Sequence, residues 1–505
     1  MNSRRLANAP NWSLSAIIII LVFITLPYGI AYFIAGEEYV FGGFLFNPLD
    51  GNSYLAKINQ GWAGNWLFTL PFTAERGAGS LLNLFYLFLG HLSRVFQIPV
   101  VVMFHLARVA GAVFLLLSLM RFAKVIFRSH PGYGPRAFFL AAAGSGLGWL
   151  ALPWGTFTSD FWVAEAFPFL SAYATPHFAI GLALLLELMM RMPNARSTRS
   201  YGIMLLLTFL LANIQPFAIV ILWAVTIGIN LWDAKLHYPV NWKGIFIVVI
   251  GGGIPLLYQY WVIHTDPLLA AWNAQNLTPA PPLWDLALSI SPAILVALYG
   301  FIQKRKTGEL FDIRLLLVWL AAGLVLIYFP FNLQRRFMLG IFIPSAMLAA
   351  YAFTSLKGKW AGRAWWVVVT LSLITNITVL LAGIFGAISK APAVYLTSDE
   401  YRALQWISAE TAVESVILAS PEMGTFIPAH TGRRVLYGHP FETVNADQQR
   451  QLVIDYLSER ISKPQTTNID YIFFGPREQQ LGSGDFWIDD EIVYQNNTVT
   501  IFRVE

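Results

Sequence analysis

The sequence predicts an all-α polytopic membrane domain of about eleven transmembrane helices over residues 1–392, followed by a small extracytoplasmic α/β domain over residues 393–505. Three observations carry that expectation. The chain is 56% hydrophobic and only 12% charged, against roughly 25% charged in soluble domains. Its apolar runs reach the length of a bilayer span, and its basic residues gather in the short loops between them. After Lys390 the pattern changes to short alternating strands and capped, amphipathic helices.

Apolar runs of spanning length lie at 12–35, 99–127, 137–154, 174–192, 244–262, 283–303, 313–330, 337–356 and 364–388. The stretch 201–232 is too long for one straight span and is interrupted at Asn213-Ile214-Gln215-Pro216. It reads as two short spans, because proline ends a helix. The first run is too long for a cleavable signal and lacks a small-residue cleavage site, so it reads as a retained span.

Orientation follows from lysine and arginine. Arg4 and Arg5, Arg128 to Arg136, Arg191 to Arg199, Lys235 to Lys243, Lys304-Arg305-Lys306 and Lys357 to Arg363 all fall on one side, provided that the run 80–97 does not cross. That run holds Asn83, His91, Ser93 and Arg94 and reads as an interfacial or re-entrant helix. The expected protein is therefore a multi-pass protein of the cytoplasmic (plasma) membrane, with its N-terminus inside and its C-terminal domain outside. The long segments 37–79, 155–173, 263–282 and everything after about 390 then face outward, leaving the room for chemistry there.

The net charge of +5 belongs to those loops and not to a phosphate-tracking stripe, so nucleic acid is not an expected partner. The chain has no cysteine, which excludes disulfides, thiolate nucleophiles and cysteine zinc sites.

In the C-terminal part, Thr397-Ser398-Asp399-Glu400 reads as a capping box opening a helix with Tyr401, Leu404 and Ile407 on one face. Ser415 to Ala419, Asp470 to Gly475 and Glu491 to Val504 read as strands, the last a hairpin turning at Asn496-Asn497. Thr431 to Thr443 is a turn-rich polar run. There is no nucleophile elbow, Walker loop or zinc-spaced histidine pair, so this domain reads as a cap supplying substrate contacts.

The first outer loop reads Phe46-Asn47-Pro48-Leu49-Asp50-Gly51-Asn52-Ser53-Tyr54-Leu55-Ala56-Lys57. Asp50 is the one acid between Glu38 and Glu75 and stands at the start of an expected helix. It reads either as an N-cap or as a functional carboxylate, and the two readings are compatible. The second outer loop offers Asp160 and Glu165, which either join a pocket or solvate a loop beside aromatic residues. His177 lies at the mouth of the next span. His105 and Arg108 lie deeper and are expected to face the bundle interior. Arg335 and Arg336 stand between two spans on the outer side, against the usual charge bias, as a guanidinium pair for phosphate or for lipid headgroups. The run from Trp272 through Gln275 and Asn276 to Pro282 suits sugar recognition or a stiff connector equally.

This layout of first span, large acidic outer loop, many further spans and outer domain resembles the GT-C superfamily of membrane glycosyltransferases. That superfamily includes oligosaccharyltransferases, protein O-mannosyltransferases and aminoarabinose transferases. The resemblance implies transfer of a sugar from a polyprenyl-phosphate donor in the lipid bilayer to a glycan, lipid or protein acceptor. It implies catalysis by Asp50 with Asp160, and a divalent metal, Mg or Mn, on the same two acids. The paired Asp-Glu of some members is absent here. By the same resemblance Arg335 and Arg336 would bind the donor phosphate. Tyr54, Lys57, Glu165, His177, Gln275 and Asn276 would contact substrate. A transporter or a non-catalytic scaffold of envelope polysaccharide assembly are the competing readings. A transporter would want a second broken helix matching Asn213–Pro216, and the sequence offers no matching partner.

Overall fold

The computed structural model describes residues 12–305, 313–356, 358–460, 469–483 and 491–504. Arg4, Arg5, Lys306 and Lys357 of the charge argument lie outside these residues. Among the described residues six helices are long and apolar enough to cross a bilayer: Ser13–Phe33, Val100–Ile126, Gly134–Trp154, Pro216–Lys235, Trp242–Thr265 and Lys359–Ile388. Leu283–Ser289 and Ala293–Gln303 pass the same test only together, bent by 85°. The remaining apolar runs form shorter helices at Pro176–Arg191, Thr198–Ile214, Arg314–Ile327 and Phe342–Ala352. This is a multi-pass membrane protein.

The chain forms two compact units. The first comprises Met1–Leu26, Ala107–Leu256 and Thr278–Ala382. Its helices pack through alanine, leucine and aromatic side chains such as Leu115, Phe122, Ala183 and Trp319, all fully buried. The 201–232 stretch breaks as its sequence requires. One helix ends at Ile214, and the next begins at Pro216, whose missing N–H costs nothing at a helix start. Buried charges in this unit meet polar partners. Buried Glu187 accepts from Arg121 and Arg191 and, at 3.0 Å, from the Ser118 hydroxyl. Arg108, 1% exposed, donates to the carbonyl of Ile24 at 3.0 Å and to those of Ala172 and Tyr173.

The second unit comprises Pro27–Leu106, Leu257–Leu277 and Gly383–Glu505. The segment following the first long helix is thus built into the same body as the C-terminal subdomain. β1 (Tyr39–Phe41) pairs antiparallel with β2 (Tyr395–Thr397). The helix Pro48–Trp62 crosses Leu84–Phe96 so closely that a Cβ on Gly61 would sit 2.0 Å from the Leu87 carbonyl oxygen, and one on Gly90 would sit 2.1 Å from that of Ile58. Only glycine fits either position. At 13 residues Leu84–Phe96 is shorter than a span.

The C-terminal subdomain adds a five-stranded sheet in the order β4-β3-β5-β7-β6. The strands are β3 (Val416–Leu418), β4 (Arg434–Val435), β5 (Tyr471–Phe474), β6 (Glu491–Gln495) and β7 (Thr500–Arg503). β3 pairs parallel with β4 and β5, while β7 pairs antiparallel with β5 and β6. The Thr397–Glu400 capping box opens the helix Ser398–Glu410, whose Leu404 and Ile407 join Met423, Phe426 and Phe473 in one core. Ala56 and Phe72 of the first outer loop belong to that core too. A second core holds Val453, Tyr456 and Leu457 against Ile472 and Phe502.

His430 gives this unit an acid sensitivity. Its Nε2 is sealed from water without a hydrogen-bond partner, and its ring faces Tyr401 and Phe426. Burial lowers its pKa from 6.5 to about 4. Because the folded value lies below the unfolded one, the unfolded chain binds more protons between them. The His430 contribution is complete above pH 6.5 and is lost as pH falls toward 4. The loss is at most about 3 kcal/mol at 1.36 kcal/mol per pH unit, reduced because the ring edge meets some solvent. Melting temperature followed from pH 7 to 4 should fall, and His430→Phe should flatten that fall. An unchanged slope in the variant would remove His430 as the cause.

Candidate functional site

The helix Pro48–Trp62 carries the polar face on which the site is built. Its N-cap is Asn47, in the left-handed region at φ 45°, and Pro48 occupies the first turn. Asp50 is therefore not the cap. It stands one turn in, and its N–H approaches the Asn47 side-chain oxygen at 3.4 Å, while its carboxylate accepts from the Asn47 amide at 2.5 Å. A carboxylate in a first turn also gains from the partial positive charge of the unpaired N–H groups. The Asn47 amide orients the Asp50 carboxylate, 43% of whose side chain is exposed.

Positions 50, 53 and 57 share one face of the helix. The C-terminal subdomain sets the loop 439–443 against that face. The His439 Nδ1 accepts from the Phe441 N–H at 3.1 Å, which places the proton of the neutral ring on Nε2. That Nε2 lies 3.4 Å from an Asp50 oxygen. Glu442 accepts from the Lys57 ammonium at 2.6 Å and from the Ser53 hydroxyl at 2.5 Å, and Lys57 donates to Ser53 at 2.8 Å. Burial alone would raise the Glu442 pKa, but the Lys57 charge and the hydrogen bonds from Lys57 and Ser53 outweigh it and leave it lowered.

Gln275 and Asn276, expected as sugar contacts, hold this loop. Gln275 donates to the Thr443 carbonyl and accepts from the Asn445 N–H at 3.1 Å, and Asn276 donates to the Phe441 carbonyl at 3.1 Å. Their amide groups are committed to protein backbone, so we correct the expectation that they bind substrate. Tyr54 stacks on Tyr86 at 4.7 Å and on Phe104 at 6.4 Å, so its ring faces are covered. His105 approaches the Gly43 carbonyl at 2.9 Å.

The other unit holds the remaining candidates. Asp160 is fully buried. One of its oxygens accepts from the Thr158 and Ser289 hydroxyls at 2.6 and 3.2 Å, and the other from the Gly148 N–H and the Thr375 hydroxyl at 3.0 and 2.9 Å. Gly148 is required here, since a Cβ would fall 2.0 Å from Asp160 Oδ1. Asp285, which the sequence did not single out, accepts from the Ser159 N–H at 2.8 Å and from Ser289 at 2.9 Å. Burial raises the Asp160 pKa against those four donors. An acid enclosed in this way organises the loop and does not reach a substrate, which corrects its expected catalytic role. Arg336 pairs with Glu165 at 3.3 Å, and the Arg335 guanidinium lies 4.5 Å from the Trp162 ring centre. His177 is the second residue of Pro176–Arg191, its ring 4.1 Å from that of Phe178.

The residues present do not fit the expected Mg or Mn site. Both Asp160 oxygens are taken by donors, and Asp50 faces an amide N–H and an imidazole N–H, which repel a cation. Among the described residues no three His, Asp or Glu side chains gather as ligands. In the C-terminal subdomain the crevice beyond the carboxyl ends of β3 and β5, where open α/β sheets take ligands, is filled from within. Fully buried Glu478 accepts there from the Ser420 and Gly475 N–H groups at 2.8 and 2.9 Å.

Comparison with solved structures bears on the whole chain. The archaeal oligosaccharyltransferase AglB from Archaeoglobus fulgidus, in complex with an inhibitory peptide and a dolichol-phosphate, is similar with a TM-score of 0.52 at 12% identity, covering 94% of this chain and 72% of that one. The chain has the GT-C fold. A second Archaeoglobus fulgidus oligosaccharyltransferase structure, with Zn and sulfate, gives a TM-score of 0.50 at 11% identity over 93% of this chain and 70% of that one. ArnT from Cupriavidus metallidurans bound to undecaprenyl phosphate covers 96% of this chain and 97% of that one, at a TM-score of 0.47 and 11% identity. No protein-family model and no curated protein matches the sequence. At these identities the likeness lies in the path of the chain and not in shared residues.

Of the residues on this helix face, the sequence singled out Asp50 and Lys57 and not the groups that meet them. Ser53 was legible from the 50-53-57 spacing. His439 and Glu442 were visible as part of a polar run, but nothing in the sequence ties a run near residue 440 to a helix near residue 50.

Proposed function

We propose that this chain is a membrane glycosyltransferase that moves a sugar from a polyprenyl-phosphate donor to a hydroxyl-bearing acceptor outside the cytoplasm, with Asp50 as general base. One observation carries the reading above the others: a single half-exposed carboxylate, fixed by Asn47 and faced by the His439 Nε2–H, in a chain with the GT-C fold. Support for the lipid donor comes from AglB, which was solved with a dolichol-phosphate.

In the proposed step the acceptor oxygen attacks the anomeric carbon and its proton passes to the Asp50 carboxylate. The bond from that carbon to the phosphate oxygen breaks, and the electron pair leaves on the polyprenyl phosphate. Attack opposite the leaving group inverts the anomeric centre. His439 steadies the carboxylate before the proton arrives. Lys57 and Glu442 hold the loop that presents His439. No step is routed through a metal.

The test uses purified protein in sealed vesicles of known orientation and a panel of synthetic polyprenyl-phosphate sugars. Product should form when donor and acceptor are supplied on the face carrying the C-terminal subdomain, and not on the opposite face. Turnover from the opposite face would reverse the orientation. No release of polyprenyl phosphate from any donor would remove the enzymatic reading and favour a scaffold.

A further inference from the structure

The second unit holds a cleft of about 280 Å³ between the Pro48, Leu49 and Asn52 face of the Asp50 helix and the segment Tyr437 to Pro440, beside the loop just described. Pro48, Leu49 and Asn52 form one wall, and Phe426, Tyr437 and Gly438 belong to the other. Neither the proposed base nor its partners use it.

Asn52 decides what the cleft is suited to hold. Its residue is 1% exposed, and its side-chain oxygen has no hydrogen-bond partner. A buried amide oxygen left without a donor costs roughly 1–3 kcal/mol, so such groups in a folded protein call for an explanation. A carboxamide offers a donor and an acceptor side by side, which is the pattern a pair of neighbouring hydroxyls completes.

The walls narrow the ligand class further. Pro48, Pro392, Pro421 and Pro440 line the cleft, and proline has no N–H to donate. An extended peptide binds by laddering its main chain on a strand edge, and these walls supply no such edge. The Arg477 guanidinium is built into the wall. It donates to Glu400 at 2.8 Å and to the carbonyls of Pro392 and Tyr395 at 3.0 and 2.9 Å, so it is not held ready for an anion. Arg450 and Glu422 both line the cleft and are exposed, and they supply one further donor and one further acceptor. A carboxamide oxygen without a donor and mixed charges without excess of either sign suit a hydroxyl-rich sugar ring better than a phosphate or a peptide.

We infer that this cleft is a saccharide-binding subsite, and that it takes a sugar ring of the acceptor. The identification of that sugar as acceptor rests on the proposed glycosyl transfer. Saccharide binding itself does not, because it is measured without donor.

The experiment uses full-length protein in lipid nanodiscs and an array of fluorescent oligosaccharides built from glucose, galactose, mannose and N-acetylglucosamine, neutral and acidic, beside a panel of proline-containing peptides. At least one saccharide should bind. Arg450→Ala and Asn52→Leu should each weaken that binding roughly tenfold or more, the worth of one hydrogen bond to a charged or buried polar group. Arg460→Ala, at an exposed arginine outside the cleft, should leave it unchanged. Arg450 is exposed, so its variant stays informative if Asn52→Leu melts early. Binding of peptides alone, no binding by any saccharide, or saccharide binding indifferent to Arg450 and Asn52 would each overturn the inference. Binding retained in a protein that shows no glycosyl transfer would support the subsite and refute the enzyme.

Discussion

Asp50→Asn should reduce glycosyl transfer by roughly two to four orders of magnitude, the usual worth of a positioned general base. The substitution keeps the size of the side chain and removes its charge and most of its basicity. Helix stability should change little, because Asn47 and not Asp50 caps the Pro48–Trp62 helix. That separates two effects which the sequence alone left joined. Asn47→Ala removes the cap and should cost about 1 kcal/mol of stability. It also removes the amide that orients Asp50, so its turnover should fall, though by far less than in the Asp50 variant. Initial rates with a donor that the wild-type protein uses, read beside melting temperatures, distinguish the cases. Near-normal turnover in Asp50→Asn would dismiss the base assignment, whatever its melting temperature.

The same pair of residues marks how far the sequence could be read. Apolar length and the lysine and arginine pattern place a helix at each expected apolar run, because burial in lipid acts on local stretches of chain. The capping box at Thr397–Glu400 and the strands near Val416 and Tyr471 were legible for the same local reason. The helix start was read at Asp50, as a cap or a functional carboxylate, whereas the helix begins at Pro48 and its cap is Asn47. Asn47 sits in the left-handed region, which asparagine tolerates and which no hydrophobic period reports. The two-residue strand β4 went unseen inside the polar run, since its pairing with β3 is a long-range event. Asp160 was read as joining a pocket or solvating a loop, and its full burial was not foreseen. Its enclosure depends on Ser289 and Thr375, residues far along the chain, and on a glycine that leaves room for the carboxylate. Gln275 and Asn276 were misread in the same way: an amide that latches a loop and one that grips a sugar have the same sequence.

The ion pair between Lys57 and Glu442 should be the costliest single contact to break in the second unit. Its side chains are 6% and 13% exposed, and removing one partner of a buried pair typically costs 3–5 kcal/mol because the other charge is left uncompensated. Lys57→Met and Glu442→Gln should each lower the melting temperature by several degrees and loosen the loop 439–443, which protease cleavage near Phe441 would report. The double variant Lys57→Met/Glu442→Leu should recover much of that loss, since no charge then remains buried. Equal or greater loss in the double variant would mean that the Ser53 contact and packing, not charge pairing, hold the loop. The pH dependence supplies an independent readout. The folded Glu442 pKa lies below its ordinary value of 4.5. Its stabilising contribution is therefore complete above pH 4.5 and is lost as pH falls through the lower folded value. The His430 loss belongs to the interval from 6.5 to about 4 and precedes it. A melting profile taken downward from neutral pH should show an earlier fall that His430→Phe removes, then a later one missing from the Lys57→Met/Glu442→Leu protein. A later fall that persists in the double variant would assign it to other carboxylates and would leave the Glu442 pair without its predicted weight.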